Sequence, residues 1–261
     1  MREDAGSSSR YARSVDRTAH HLDAPLLVAL AVSFVAGLVF WTAWPLWPFR
    51  LLVVLMHESG HAAATLLVGG TVDSIQVKPN EAGMTLGRMV PSIWRQIVVS
   101  SAGYVGSTVS GCVLLWFAAR SRTGRWPLLA LAAWTGLVAI VWVRDGFTLL
   151  FVGGAAIALG MVARYGPSLL RRGLLVFLAT FSVSYALYDI KDDLLHFASR
   201  GPSDAEALAR ATFIPAVVWG VGWGLLSLGV VALTLRHILA SGPPIETVPA
   251  EPSGVQGPTQ W

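Results

Sequence analysis

Charge is scarce in this sequence. Only 13% of its 261 residues are charged, while 54% are hydrophobic and the mean hydropathy is +0.59. A soluble domain of this length carries roughly 25% charged residues to cover its surface, so a water-bathed globule is excluded and lipid must be much of the solvent. Cysteine is almost absent as well. Cys112 stands alone in an apolar stretch, which rules out a disulfide framework or a cysteine-built zinc site and leaves it as a small packing residue. Long polar loops are missing. No connection between the apolar stretches is large enough to fold as a catalytic domain of its own, so any chemistry must occur in or at a membrane. No internal repeat is found. No cleavable leader is expected either, because the opening residues are polar and include Arg2, Arg10, Arg13 and Arg17, and the apolar run behind them is too long for a leader's core.

What is abundant is apolar sequence in long runs. Ala24–Phe49, Gln96–Ala119, Trp126–Val143, Gly146–Ala163, Gly173–Tyr188 and Ala211–Leu235 approach or exceed the length of a bilayer-crossing helix, about 20 residues. A further run, Leu51–Val72, is interrupted only by His57, Glu58 and His61. The expected fold class is therefore an all-α polytopic membrane protein with about seven transmembrane helices. Residues 1–23 read as a flexible polar tail, 24–237 as the membrane domain, and 238–261 as a disordered tail rich in Pro and Gly. The net charge of +4 and pI near 9.6 do not call for nucleic acid, since the basic residues fall between spans, where loops meet an anionic membrane surface. With the N-terminal tail placed in the cytoplasm, Lys78, Arg88, Arg95, Lys191, Arg200 and Arg210 share that side, and Arg120, Arg122, Arg125, Arg171 and Arg172 lie opposite.

The second span is expected at about Phe49–Leu67, after Pro45 and Pro48 tighten the connection and before Gly69–Gly70 stop it. Past that stop the pattern changes. Ser74-Ile75-Gln76-Val77 alternates polar and apolar residues, and Met84-Thr85-Leu86 can pair with it across Lys78–Gly83, predicting a short β-hairpin after the second span.

The chemistry is concentrated in His57-Glu58-Ser59-Gly60-His61, an HExxH motif. Residues four apart share one face of a helix, so both imidazoles can reach one zinc ion, with a position left for water. Glu58 then stands where it can take a proton from that water, whose pKa the metal lowers to about 7. Chance supplies roughly three such matches per thousand chains of this composition. Three ionisable residues within five positions of an apolar span are costly, and therefore functional. A third protein ligand is needed, and the residues alone leave Asp145, Asp189 and, less favoured, His196 open. Ser100, Ser101, Ser107 and Thr108 can either line a wet cavity or let helices pack closely.

These elements form an ordered set. After His57–His61 come Gly69-Gly70, then Asn80-Glu81-Ala82-Gly83-Met84-Thr85, Ala102-Gly103-Tyr104-Val105-Gly106-Ser107, Tyr188-Asp189-Ile190-Lys191-Asp192-Asp193, Ser203-Asp204-Ala205 and Trp219-Gly220-Val221-Gly222-Trp223. The set, spread over Phe49–Leu235, resembles the site-2 protease class of intramembrane zinc metallopeptidases, in its compact branch of bacteria and plants. The resemblance implies Zn2+ as cofactor, His57 and His61 as ligands and Glu58 as general base. It favours Asp189 as third ligand over Asp145, because the compact branch commonly has Asn at the Asp145 position and an acid at that of Asp189. It also implies a membrane-anchored protein or peptide as substrate, a hairpin that presents it as an extended strand, and residence in a bacterial cytoplasmic membrane. Two other functions compete: an inactive membrane protein that keeps the metal helix for structure or client binding, and an ion relay, which the lack of an inverted repeat disfavours.

Overall fold

The computed structural model describes residues 24–40, 43–195 and 203–240. Eight helices and one hairpin succeed one another in this part of the chain: α1 Ala24–Val39, α2 Trp47–Leu67, β1 Thr71–Val77, β2 Gly83–Arg88, α3 Ile93–Arg120, α4 Arg125–Val141, α5 Gly146–Tyr165, α6 Ser168–Leu195, α7 Asp204–Thr212 and α8 Ala216–Ala240. The mostly helical architecture and the hairpin agree with the sequence reading.

The number of spans is borne out in part. Three helices, α3, α5 and α8, are long and apolar enough to cross a membrane, against the seven expected. Helices α1 and α4 have 16 and 17 residues, short of the about 20 that a straight crossing takes. Helix α2 is long enough but includes Arg50, His57, Glu58 and His61. Helix α6 opens with Arg171 and Arg172 and closes with Asp189, Lys191, Asp192 and Asp193. Helix α8 continues through Ala240, so regular structure runs past the expected boundary at 237.

Helices α2, α3 and α6 pack together at the centre, with α1 against α6 and α8 against α3 and α6, while α4 and α5 form an antiparallel pair. Their shared core includes Leu51, Leu55, Val138, Val152, Leu178 and Phe181. Pro48 sits in the first turn of α2, where a missing N–H costs nothing. The other end closes with the Gly70 N–H bonded to the Thr65 carbonyl at 2.8 Å and the Gly69 N–H to that of Leu66 at 3.0 Å, a Schellman turn with Gly69 in the left-handed region.

That turn sends β1 back along α2. Ser74 pairs with Leu86, Ile75 with Thr85 and Gln76 with Met84, the pairing anticipated from the alternation. The hairpin is tied down on two sides. At its tip Trp47 Nε1 donates to the Pro79 carbonyl (2.9 Å), and Arg50 Nε donates to Glu81 Oε1 (2.8 Å). Along its outer edge β1 donates from Ile75 N–H to the Trp142 carbonyl (2.9 Å) and from Val77 N–H to Thr148 Oγ1 (3.0 Å). Strand β2 has no neighbour on its far side among the described residues.

Candidate metal centre

Helix α2 carries His57 and His61 one turn apart on the face that meets α3, and the two helices touch backbone to backbone there. A Cβ on Gly60 would overlap the Ala102 carbonyl, and one on Gly106 would stand 3.0 Å from Gly60 Cα. Gly103 has the imidazoles themselves for neighbours: a Cβ there would stand 2.5 Å from His61 Nε2 and 2.6 Å from His57 Cε1. Small residues at these positions are thus what lets α3 form the wall behind the histidines.

His61 Nδ1 lies 2.7 Å from the Val99 carbonyl. A carbonyl only accepts, so that nitrogen carries the proton and the Nε2 lone pair faces the cavity. His57 Nε2 stands 3.0 Å from His61 Nε2. A carboxylate completes the triangle: Asp204 Oδ2 is 3.3 Å from His57 Nε2 and 3.1 Å from His61 Nε2. Atoms rich in lone pairs do not converge in this way without a cation or protons among them. Tetrahedral ligands about 2.0–2.1 Å from zinc stand about 3.3 Å from one another, so the donor set fits that ion in both chemistry and spacing.

Asp204 opens α7, where the positive end of the helix favours an anion. Ser203 caps the helix, its Oγ accepting the Glu206 N–H at 3.3 Å. Ala205 and Leu208 are buried against Tyr104 and Trp223, and Gln96 Nε2 donates to the Ala207 carbonyl at 3.4 Å. Burial opposes ionisation of Asp204, but His61 and His57 beside it outweigh that and hold its carboxyl below the usual carboxylate range.

Glu58 is buried and faces the hairpin. Thr85 Oγ1 lies 2.7 Å from Glu58 Oε2 and 2.9 Å from the Glu58 carbonyl, while a Cβ at Gly83 would stand 2.7 Å from Glu58 Cδ. One cavity of ≈ 330 Å3 is lined by His57, Glu58, His61, Thr85, Tyr104 and Asp204. The Tyr104 ring meets His57 edge-on with centroids 4.9 Å apart, and stacks on Trp223 behind it.

His57, Glu58 and His61 therefore meet in one cavity. Asp145 takes no part: it caps α5, with Oδ1 accepting the Thr148 N–H at 2.9 Å. Asp189 lies on α6, and its side chain is outside the described residues, as is His196. Among the described residues the group able to hold a metal is His57, His61 and Asp204. Asp204 had not been weighed as a ligand, although Ser203-Asp204-Ala205-Glu206 is a capping-box pattern that marks a helix start with an acid in its first turn. Of the four hydroxyl residues, Ser100 lines the cavity. The others serve packing, with Ser101 accepting from Trp223 Nε1, Ser107 donating to the Gly103 carbonyl and Thr108 bonded to Tyr104 and Ser227.

A family model described as Peptidase M50B-like matches residues 29–234. The chain belongs to this peptidase family. The M50B-like match spans α1 to α8, so it covers the cavity and every residue named in it, and it bears out the site-2 protease resemblance read from the motifs. With the apolar helices α3, α5 and α8 it makes this M50B-like chain an integral membrane protein. Comparison with curated proteins and with solved structures gives no match.

Proposed function

We propose that the chain is a zinc-dependent endopeptidase that cuts membrane-anchored proteins or peptides in or beside the bilayer. The observation that carries this reading is the meeting of His57 Nε2, His61 Nε2 and Asp204 Oδ2 within 4.8 Å of one another, in a cavity that also contains Glu58. His57, His61 and Asp204 would hold the ion, with Asp204 in the place that the sequence comparison assigned to Asp189. Bound zinc supplies a Lewis acid that polarises a carbonyl and lowers the pKa of water to about 7.

The chain's own residues do the rest. Glu58 accepts the proton of the attacking water and returns it to the departing amide nitrogen. Thr85 holds Oε2 of that carboxylate, and the bare Gly83 leaves room for Oε1. The far edge of β2 accepts the substrate as an added strand, since main-chain bonds along an unpaired edge capture extended peptide without regard to sequence. A substrate helix must unwind to use that edge, because its amides are bonded internally while it spans the membrane.

The other helices, α1, α2, α4 and α6, complete a seven-helix unit in lipid. Its outer surface exposes large apolar side chains such as Ile140 (80%) and Leu150 (79%), which lipid accommodates better than water. The test pairs metal content with turnover in purified full-length protein. Glu58→Gln should keep one zinc and lose peptidase activity by at least 10³-fold, a scale usual for a removed proton acceptor. His57→Ala and Asp204→Ala should lose the zinc, and Asp189→Ala should keep it. Undiminished turnover in Glu58→Gln would remove Glu58 from the chemistry, and undiminished biological function without turnover would favour a client-binding role.

A further inference from the structure

The polar connections expected to separate α3 from α4 and α5 from α6 meet at one end of the bundle. Arg171 Nε donates to the Thr123 carbonyl at 2.9 Å and its Nη1 to the Ala163 carbonyl at 3.3 Å, and a Cβ on Gly124 would stand 3.1 Å from the Arg172 nitrogen. Six arginines are gathered there: Arg120, Arg122, Arg125, Arg164, Arg171 and Arg172. The one acid between positions 120 and 172 is Asp145, at the other end of α4 and α5. Among the described residues no carboxylate pairs with any of the six. Arg125 Nε is buried and meets no acceptor, a condition that buried donors rarely keep.

Beside these charges a groove of ≈ 810 Å3 runs between α3 and α4, with almost wholly apolar walls that include Val113, Phe117, Ala130 and Trp134. At its basic end Arg120 lies over Trp116, with 5.5 Å from guanidinium carbon to ring centroid, and Arg125 over Trp126 at 5.7 Å. Tryptophan and arginine in this order mark the level of lipid headgroups. A long apolar slot that ends in unpaired cations and an unsatisfied buried donor matches one molecule on both counts.

We propose that this groove is a binding site for an anionic phospholipid, with an acyl chain along α3 and α4 and the phosphate between Arg120 and Arg125. The site rests on the membrane reading of the chain but not on peptidase activity, so it stands or falls separately from the zinc centre. Phosphate attracts guanidinium through paired, charge-assisted hydrogen bonds, whereas a zwitterionic headgroup brings its own cation and gains little. The groove would then take one anionic lipid per chain in exchange with added lipid, while the remaining surface takes lipids without preference.

The experiment uses full-length protein in detergent, titrated with phosphatidylglycerol or phosphatidylcholine whose acyl chains are brominated, with tryptophan quenching as readout. Phosphatidylglycerol should quench saturably with one site per chain and at lower concentration than phosphatidylcholine. In the Arg120→Gln, Arg125→Gln double variant its affinity should fall about thirtyfold, from roughly a fivefold contribution of each arginine near an anionic headgroup. Ala130→Phe, which narrows the slot and leaves the charges in place, should abolish saturable quenching by either lipid. Zinc content should be unchanged in all variants. Equal affinity for the two lipids, or an unchanged affinity in the arginine double variant, overturns the site. So does absence of saturable quenching, the result expected if a second copy or residues 241–261 fill the groove instead.

Discussion

Replacing Gly103 by alanine tests the metal centre through a residue with no chemistry of its own. The added methyl would stand 2.5 Å from His61 Nε2 and 2.6 Å from His57 Cε1, against about 3.5 Å for a relaxed carbon contact. Both rings must therefore withdraw by about 1 Å, or α3 must move away by as much. Metal sites keep their ligand distances within about 0.2 Å, so the displacement is several times the tolerance. Lost orientation of a metal-bound histidine costs on the order of 10- to 100-fold in affinity, and Gly103→Ala should weaken zinc binding by at least that factor. Competition against a chromophoric chelator in detergent measures it directly. Two neighbours act as controls. Gly106→Ala meets only the Gly60 backbone, its Cα at 3.0 Å, and Gly153→Ala meets nothing within 4 Å. The first should lower stability more than zinc affinity, and the second should change neither. Wild-type affinity in Gly103→Ala, or an equal loss in Gly106→Ala, would refute the claim that the methyl acts on the imidazoles rather than on helix spacing.

Three further expectations follow from the geometry around that centre. Thr85→Val removes the hydroxyl that holds Glu58 Oε2; kcat should fall about tenfold, equivalent to a charge-assisted hydrogen bond of ~1.5 kcal/mol, with zinc content unchanged in the same preparation. Asp145→Ala removes the cap of α5 and should cost about 1 kcal/mol in denaturant titration, again with full zinc occupancy; zinc loss would reinstate Asp145 as a ligand. At the hairpin base, hydrogen bonding from Arg88 lowers the pKa of Asp73. A carboxyl whose folded pKa is depressed stabilises the fold above its unfolded pKa, about 3.9, and that contribution disappears as pH falls through the lower folded value. The protection factors of the Thr71 and Arg88 amides, corrected for the intrinsic exchange rate at each pH, should accordingly fall in acid, and the Asp73→Asn variant should lose this dependence.

Why some of this was legible and some was not follows from the range of the interactions. The two histidines are four positions apart, and helical geometry alone puts both rings on one face, so the motif could be read without a fold. The hairpin was equally local: alternation over Ser74–Val77 sets its register, and Ser74, Ile75 and Gln76 pair as that alternation requires. Its extension to Thr71 and Arg88 rests on main-chain bonds, which leave no side-chain pattern to read. The length of apolar runs was less informative, since α3, α5 and α8 are plainly long and apolar enough to cross a membrane while α4 stops after 17 residues and α2 includes Arg50, His57, Glu58 and His61. The third member of the cluster was hardest, since Asp204 is 147 positions from His57 and its one local signal, the capping pattern of Ser203–Glu206, marks a helix start and not a partner for the histidines.

The features that do single Asp204 out are tertiary. Only two side chains of the nine-residue α7, Ala205 and Leu208, are buried, so side-chain packing alone says little about where its first turn sits. The Ser203 cap and the contact of Asp204 with the two imidazoles fix that turn beside the histidines. In the proposed zinc enzyme Asp204 would tie α7 to the two histidines, so that loading the site and closing one wall of the cavity would be the same event.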